Sequence, residues 1–243
     1  MRHPVMSRLA LSGAALLCLQ GCLAAEPGNM PADEAFALSA SALSGSERYG
    51  LSGEVSVLDA SGLVANRLSY EGEVTEHDNV TVQWKNVNAK SAQTGQTNSY
   101  EPLELLEAIK GKSASIAYRK AEVGGNADEV RFAIKLDGDV AKRRIADQLR
   151  KELTAIGEDK MLLGRKPEQS ANVLKEAKAT LENVLGGLKV TTECQWTANK
   201  RTWFPTRLQE DTLLEYEWKG KPYKEKRLSV TNFRAGSRNG TMD

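Results

Sequence analysis

Histidine and cysteine are nearly absent from this chain. Two histidines, His3 and His77, and three cysteines, Cys18, Cys22 and Cys194, occur in 243 residues. A Ser-His-Asp triad would have to be built on His77, which sits in a turn signal beside Asp78; multi-histidine metal sites and a disulfide framework lack their raw material. Asp137-Gly138-Asp139 lacks the ligand spacing of a calcium loop and reads as a turn followed by a helix cap. Charge of one sign is lacking too: 33 Lys+Arg face 32 Asp+Glu, against the basic excess of a dedicated nucleic-acid binder. No apolar run reaches the ~18 residues of a membrane span. The chain therefore reads as a non-enzyme, with no catalytic residue, metal, cofactor or nucleic-acid partner expected. Its 40% hydrophobic and 27% charged residues are those of a folded body.

What is present begins with an address. Arg2 and Arg8, with no acid between them, precede the apolar run Leu9 to Leu19, the length of a signal-peptide core. Leu19-Gln20-Gly21-Cys22 then resembles the bacterial lipobox, with Leu19, Gly21 and Cys22 in their expected places and Gln20 larger and more polar than usual. The resemblance implies that residues 1–21 are a lipoprotein signal peptide and that Cys22 is the lipid-attachment site, carrying a diacylglycerol and a palmitate-type acyl chain. The body would then be lipid-anchored on the extracytoplasmic face of a cell membrane, with the membrane as its first partner. A plain secretory signal cut after Ala24 or Ala25 is the competing interpretation. In the processed form Cys194 has no cysteine to pair with. It shares one side of an alternating run with Val190, Thr192 and Trp196 and reads as a buried small apolar residue.

The rest divides into a tether at 22–30, a single domain at 31–234 and a loose tail at 235–243. Pro31-Ala-Asp-Glu opens a helix to about Leu43, with Ala35, Phe36, Leu38 and Leu43 expected to face inward. Three two-residue periods follow, carrying Leu51 to Val57, Leu68 to Val74 and Val80 to Trp84, and turns at Asp59 to Gly62 and His77 to Asn79 join them into a meander. A polar connection, a short helix near Pro102 and a second strand pair come next. Asp139 is expected to cap a helix ending at Gly157, with Lys142-Arg143-Arg144 on its solvated face. A further helix, Glu168 to Leu185, is expected to close on Gly186-Gly187. The end returns to strands: Val190 to Trp196, Thr202 to Gln209 with an edge or bulge at Pro205, a run through Leu214, Tyr216 and Trp218, and a last one to Phe233.

One-sided strands combined with apolar-striped helices predict an α+β fold, a curved antiparallel sheet (an incomplete β-barrel) with helices covering its concave face. The order of elements, the stretch Trp196-Thr-Ala-Asn-Lys-Arg-Thr-Trp-Phe-Pro-Thr-Arg-Leu208 and the closing Ser229-Val-Thr-Asn-Phe233 resemble the LolA/LppX–LprG class of envelope carriers over most of residues 31–234. That resemblance implies two functions. One is binding of a lipid or other apolar ligand in a half-barrel cavity, for which the inward aromatics Tyr70, Trp84, Tyr118, Phe132, Trp196, Tyr216 and Trp218 are the candidate lining. The other is a non-enzymatic scaffold or chaperone for an envelope protein partner, such as a spore-cortex hydrolase.

Overall fold

Tight turns convert the alternating segments into a continuous sheet. The computed structural model describes residues 30–77, 79–86, 101, 103–110, 113–120, 126–159 and 167–236; Cys22 and the connection at 87–100 lie outside them. Helix α1 (Ala32–Ser44) leads into strands β1 (Arg48–Leu58), β2 (Val64–Thr75) and β3 (Asn79–Asn86). Asp59 Oδ1 accepts the Ser61 and Leu63 backbone N–H at the first turn, where Gly62 has φ +83°. Glu76 and His77 both take positive φ at the second, the conformation a tight hairpin demands. Helix α2 (Glu104–Lys110) precedes β4 (Ala114–Tyr118) and β5 (Glu129–Leu136). Helices α3 (Gly138–Glu158) and α4 (Pro167–Gly187) follow, then β6 (Lys189–Asn199), β7 (Pro205–Trp218) and β8 (Lys221–Ala235).

All eight strands join one curved, unclosed antiparallel sheet in the order β3-β2-β1-β8-β7-β6-β5-β4. The chain's last strand thus lies beside its first, and β3 and β4 are the edges. The fold is α+β, as the periodicity predicts. One face of the sheet is apolar, and α1 packs on it: Phe36 stands edge-on to Phe132 and to Trp196, with ring centroids 6.1 and 5.4 Å away. Trp196 Nε1 donates to Ser39 Oγ at 2.8 Å, which explains a fully buried serine on that helix.

Several local expectations are corrected. Leu38 is 42% exposed and points away from the core, its expected place taken by Ser39 and Ala40. Asp137, not Asp139, caps α3, accepting the N–H groups of Asp139 and Val140 at 2.9 and 3.2 Å. Gly157 does not end that helix; a Cβ there would sit 2.6 Å from a methyl carbon of Leu174, so the glycine lets α4 approach. Helix α4 does end at Gly187, but Gly186 and Gly187 remain helical and neither takes the positive φ of a glycine cap. The strand expected at Thr202 begins instead at Pro205, after Trp203 adopts φ +58°, and continues unbroken to Trp218. Pro205 does mark an irregularity: the β6–β7 register shifts opposite it, between Thr197 and Ala198.

Candidate functional site

Register sorts the apolar face into rows that cross the strands. Tyr118, Phe132, Trp196, Leu208, Thr231, Gly53, Tyr70 and Trp84 form one row across all eight strands, so five of the seven aromatics singled out from the sequence stand in a line. They pack on one another and on neighbouring rings. Tyr118 lies 5.4 Å from Phe132, Trp196 lies 5.7 Å from Phe233, and Tyr70 lies 4.8 Å from Trp84. Gly53 leaves the space that the Tyr70 ring occupies: a Cβ at position 53 would come 2.5 Å from Tyr70 Oη, which instead hydrogen-bonds Thr231 Oγ1 at 2.6 Å. Tyr70, Phe132 and Trp196 are fully buried, whereas Tyr118 at the edge is exposed and its hydroxyl donates to the Met30 carbonyl. Tyr216 and Trp218 stand apart, at the far end of β7.

The open space lies in the next two rows. Cys194, Glu210, Ser229, Val55 and Leu68 form the first, and Thr192, Thr212, Arg227, Val57 and Asn66 the second. Helix α3 passes over them. Between its Arg144, Ile145, Gln148 and Glu152 and the floor made by Val55, Val57, Leu68, Thr212 and Ser229 is a cavity of about 170 Å³. None of the seven aromatics lines it. Its walls are divided by chemistry, with Val55, Val57, Leu68 and Ile145 supplying methyl groups and a hydrogen-bonded cluster around Glu210 supplying polarity.

That cluster is the feature sequence reasoning missed. Arg144, expected on a solvated face, is 8% exposed and pairs with Glu210, which is 5% exposed. Glu210 Oε1 also accepts Thr212 Oγ1 at 2.9 Å, leaving the Thr192 hydroxyl to donate to Thr212 at 2.8 Å. Ser229 Oγ reaches Glu210 Oε2 at 3.4 Å. The available signal was Glu210's inward register position between Leu208 and Leu214. Buried charges survive only when paired and hydrogen-bonded, and this pair joins α3 to the middle of the sheet. Cys194, beside Glu210 in the same row, is buried, and desolvation pushes its thiol up to about 12, which favours the protonated thiol at neutral pH.

A larger open groove of about 660 Å³ lies on the sheet's opposite face. Its floor is the row Ala117, Ala133, Gln195, Gln209 and Val230, rimmed by the Lys135–Glu193 pair. Among the described residues no cluster of His, Cys, Asp and Glu suits a metal ion, and no helix is long and apolar enough to cross a membrane.

No family model matches the chain, and no curated protein matches it. Among solved structures, a LolA superfamily protein from Nitrosomonas europaea is similar over 86% of this chain and 94% of its own, at 7% identity and a TM-score of 0.26. Acyl-CoA thioesterase II TesB2 from Mycobacterium marinum is similar over 84% and 91%, at 9% identity and a TM-score of 0.15. Likenesses this slight assign neither a ligand nor an activity.

Proposed function

We propose that this protein is a non-enzymatic, extracytoplasmic binding protein, anchored through a lipid on Cys22, that holds one acyl chain of an amphiphile beneath α3. The observation that carries the ligand half is the cavity between α3 and the sheet, with methyl-lined walls beside a charged, hydrogen-bonded cluster. At about 170 Å³ it is smaller than the ~300–1,000 Å³ of common small-molecule pockets, which favours a single chain over a multi-chain lipid. A fluorescent fatty acid should bind the wild-type protein and be displaced by unlabelled fatty acids. Val57→Trp, which places an indole in the cavity, should abolish binding at an overpacking cost of about 1–3 kcal/mol. Equal binding by the two proteins would refute the assignment.

The anchoring half rests on Leu19, Gly21 and Cys22 after the apolar run. Cys22→Ser should move the protein from the membrane to the soluble extracytoplasmic fraction; a wild-type protein that is already soluble and begins beyond Ala24 would contradict it.

The second function, a scaffold for a protein partner, is favoured by a different observation. Phe36, Phe132, Trp196 and Phe233 fill the space beneath α1 with rings, so that end of the sheet offers no hollow. Failure of acyl binding would leave the scaffold standing.

A further inference from the structure

The apolar face of the sheet does not stop where the helices do. Strands β7 and β8 are the longest in the fold, and Lys219 and Gly220 join them with φ of +52° and +72°, the paired left-handed residues of a tight hairpin. Leu214 is the last buried residue of β7 on that face. Beyond it the same face continues through the cross-strand pairs Tyr216–Tyr223 and Trp218–Lys221. Tyr216 and Tyr223 stack with centroids 5.6 Å apart, Trp218 lies 6.0 Å from Tyr223, and Lys219 Nζ sits 4.8 Å over the Trp218 ring. Trp218 is nevertheless 41% exposed and Tyr223 36% exposed. A scattered surface ring needs no explanation, but three contiguous rings at a hairpin tip do.

We propose that this hairpin tip is a docking element for an anionic lipid surface. Its rings are Tyr and Trp, which carry an apolar body and a polar edge and settle at the headgroup level of a bilayer. Lysines lie among them: from residue 215 to residue 226 the tip carries Lys219, Lys221, Lys224 and Lys226 against Glu215, Glu217 and Glu225. Lys224 and Lys226 are held on the sheet's other face by Glu215 and Asp211. Lys219 and Lys221 therefore supply the positive charge on the aromatic side, where their stems can follow the rings and their ammonium groups reach phosphates. A protein partner suits the tip less well, because the centres of protein interfaces are depleted in lysine. The contact is independent of the ligand beneath α3, since it uses neither the cavity nor α3.

The test uses the full chain reconstituted in vesicles of phosphatidylglycerol with brominated acyl chains, which quench tryptophan at the bilayer surface. The chain has four tryptophans, so the signal of Trp218 is the difference between wild type and Trp218→Phe. The expected result is quenching in the wild type that is largely lost in Trp218→Phe. It should fall several-fold in Lys219→Glu/Lys221→Glu and in phosphatidylcholine vesicles, with near-ultraviolet circular dichroism unchanged. Quenching that survives Trp218→Phe, or that ignores the charge reversal, would overturn the proposal.

Discussion

Cys194, Tyr49 and Tyr70 hold protons that water-exposed groups would give up. Burial pushes the Cys194 thiol from an ordinary 9.0 to about 12, and the Tyr49 and Tyr70 hydroxyls from 10.0 to about 12, Tyr70 despite the opposing effect of its Thr231 hydrogen bond. Below about pH 9 neither the folded nor the unfolded chain has lost these protons, and stability is unaffected by them. Above it the unfolded chain releases protons that the folded chain keeps until about pH 12, so stability must fall as pH rises through that window. The urea midpoint should therefore decline steadily from pH 9 to 11. In parallel, a thiol reagent should label Cys194 slowly in the native protein and fast in denaturant. Rapid native labelling at pH 8 would place the thiol in contact with solvent and contradict its burial. The two-residue period predicted this burial from the sequence, since Val190, Thr192 and Trp196 flank Cys194 on one side of β6.

At the scale of elements, a buried charge pair, Arg144–Glu210, ties α3 to the sheet. Removing only the acceptor with Glu210→Leu takes the buried carboxylate away from Arg144, Thr212 and Ser229, and should cost about 3–5 kcal/mol in chemical denaturation. Arg144→Met/Glu210→Leu should recover most of that loss, because apolar replacements of a buried pair are often neutral. Additive losses in the double variant would mean that the two side chains are not coupled. Arg144 does not announce itself in the sequence, and Glu210 does so only through its inward register position. Lys142-Arg143-Arg144 has the composition of a solvated face, and only the packing of α3 on the sheet brings Arg144 to Glu210. The strands were far more legible, because a period of two survives any tertiary arrangement. Helix ends were less so: Asp137 and Asp139 are both able to cap, and the backbone geometry selects Asp137. Gly157 shows the same limit, since its reason is Leu174 on another helix.

For the whole molecule, the sheet order places the cavity of about 170 Å³ between α3 and strands from both ends of the chain, β1 and β2 with β7 and β8. The sequence predicts space among the inward aromatics, whereas this cavity lies beside their row. Large aromatics at inward positions filled their row, and space remained where Val55, Val57, Ser229 and Thr212 are small. This is a packing outcome: big side chains close gaps, so the hollow is found beside them rather than among them. The most direct test of acyl-chain binding is displacement of a fluorescent fatty acid by a series of saturated fatty acids of increasing length. Each buried methylene contributes about 0.8 kcal/mol, so affinity should rise about fourfold per carbon and then level off when the cavity is full. Affinity that does not change with chain length would contradict it.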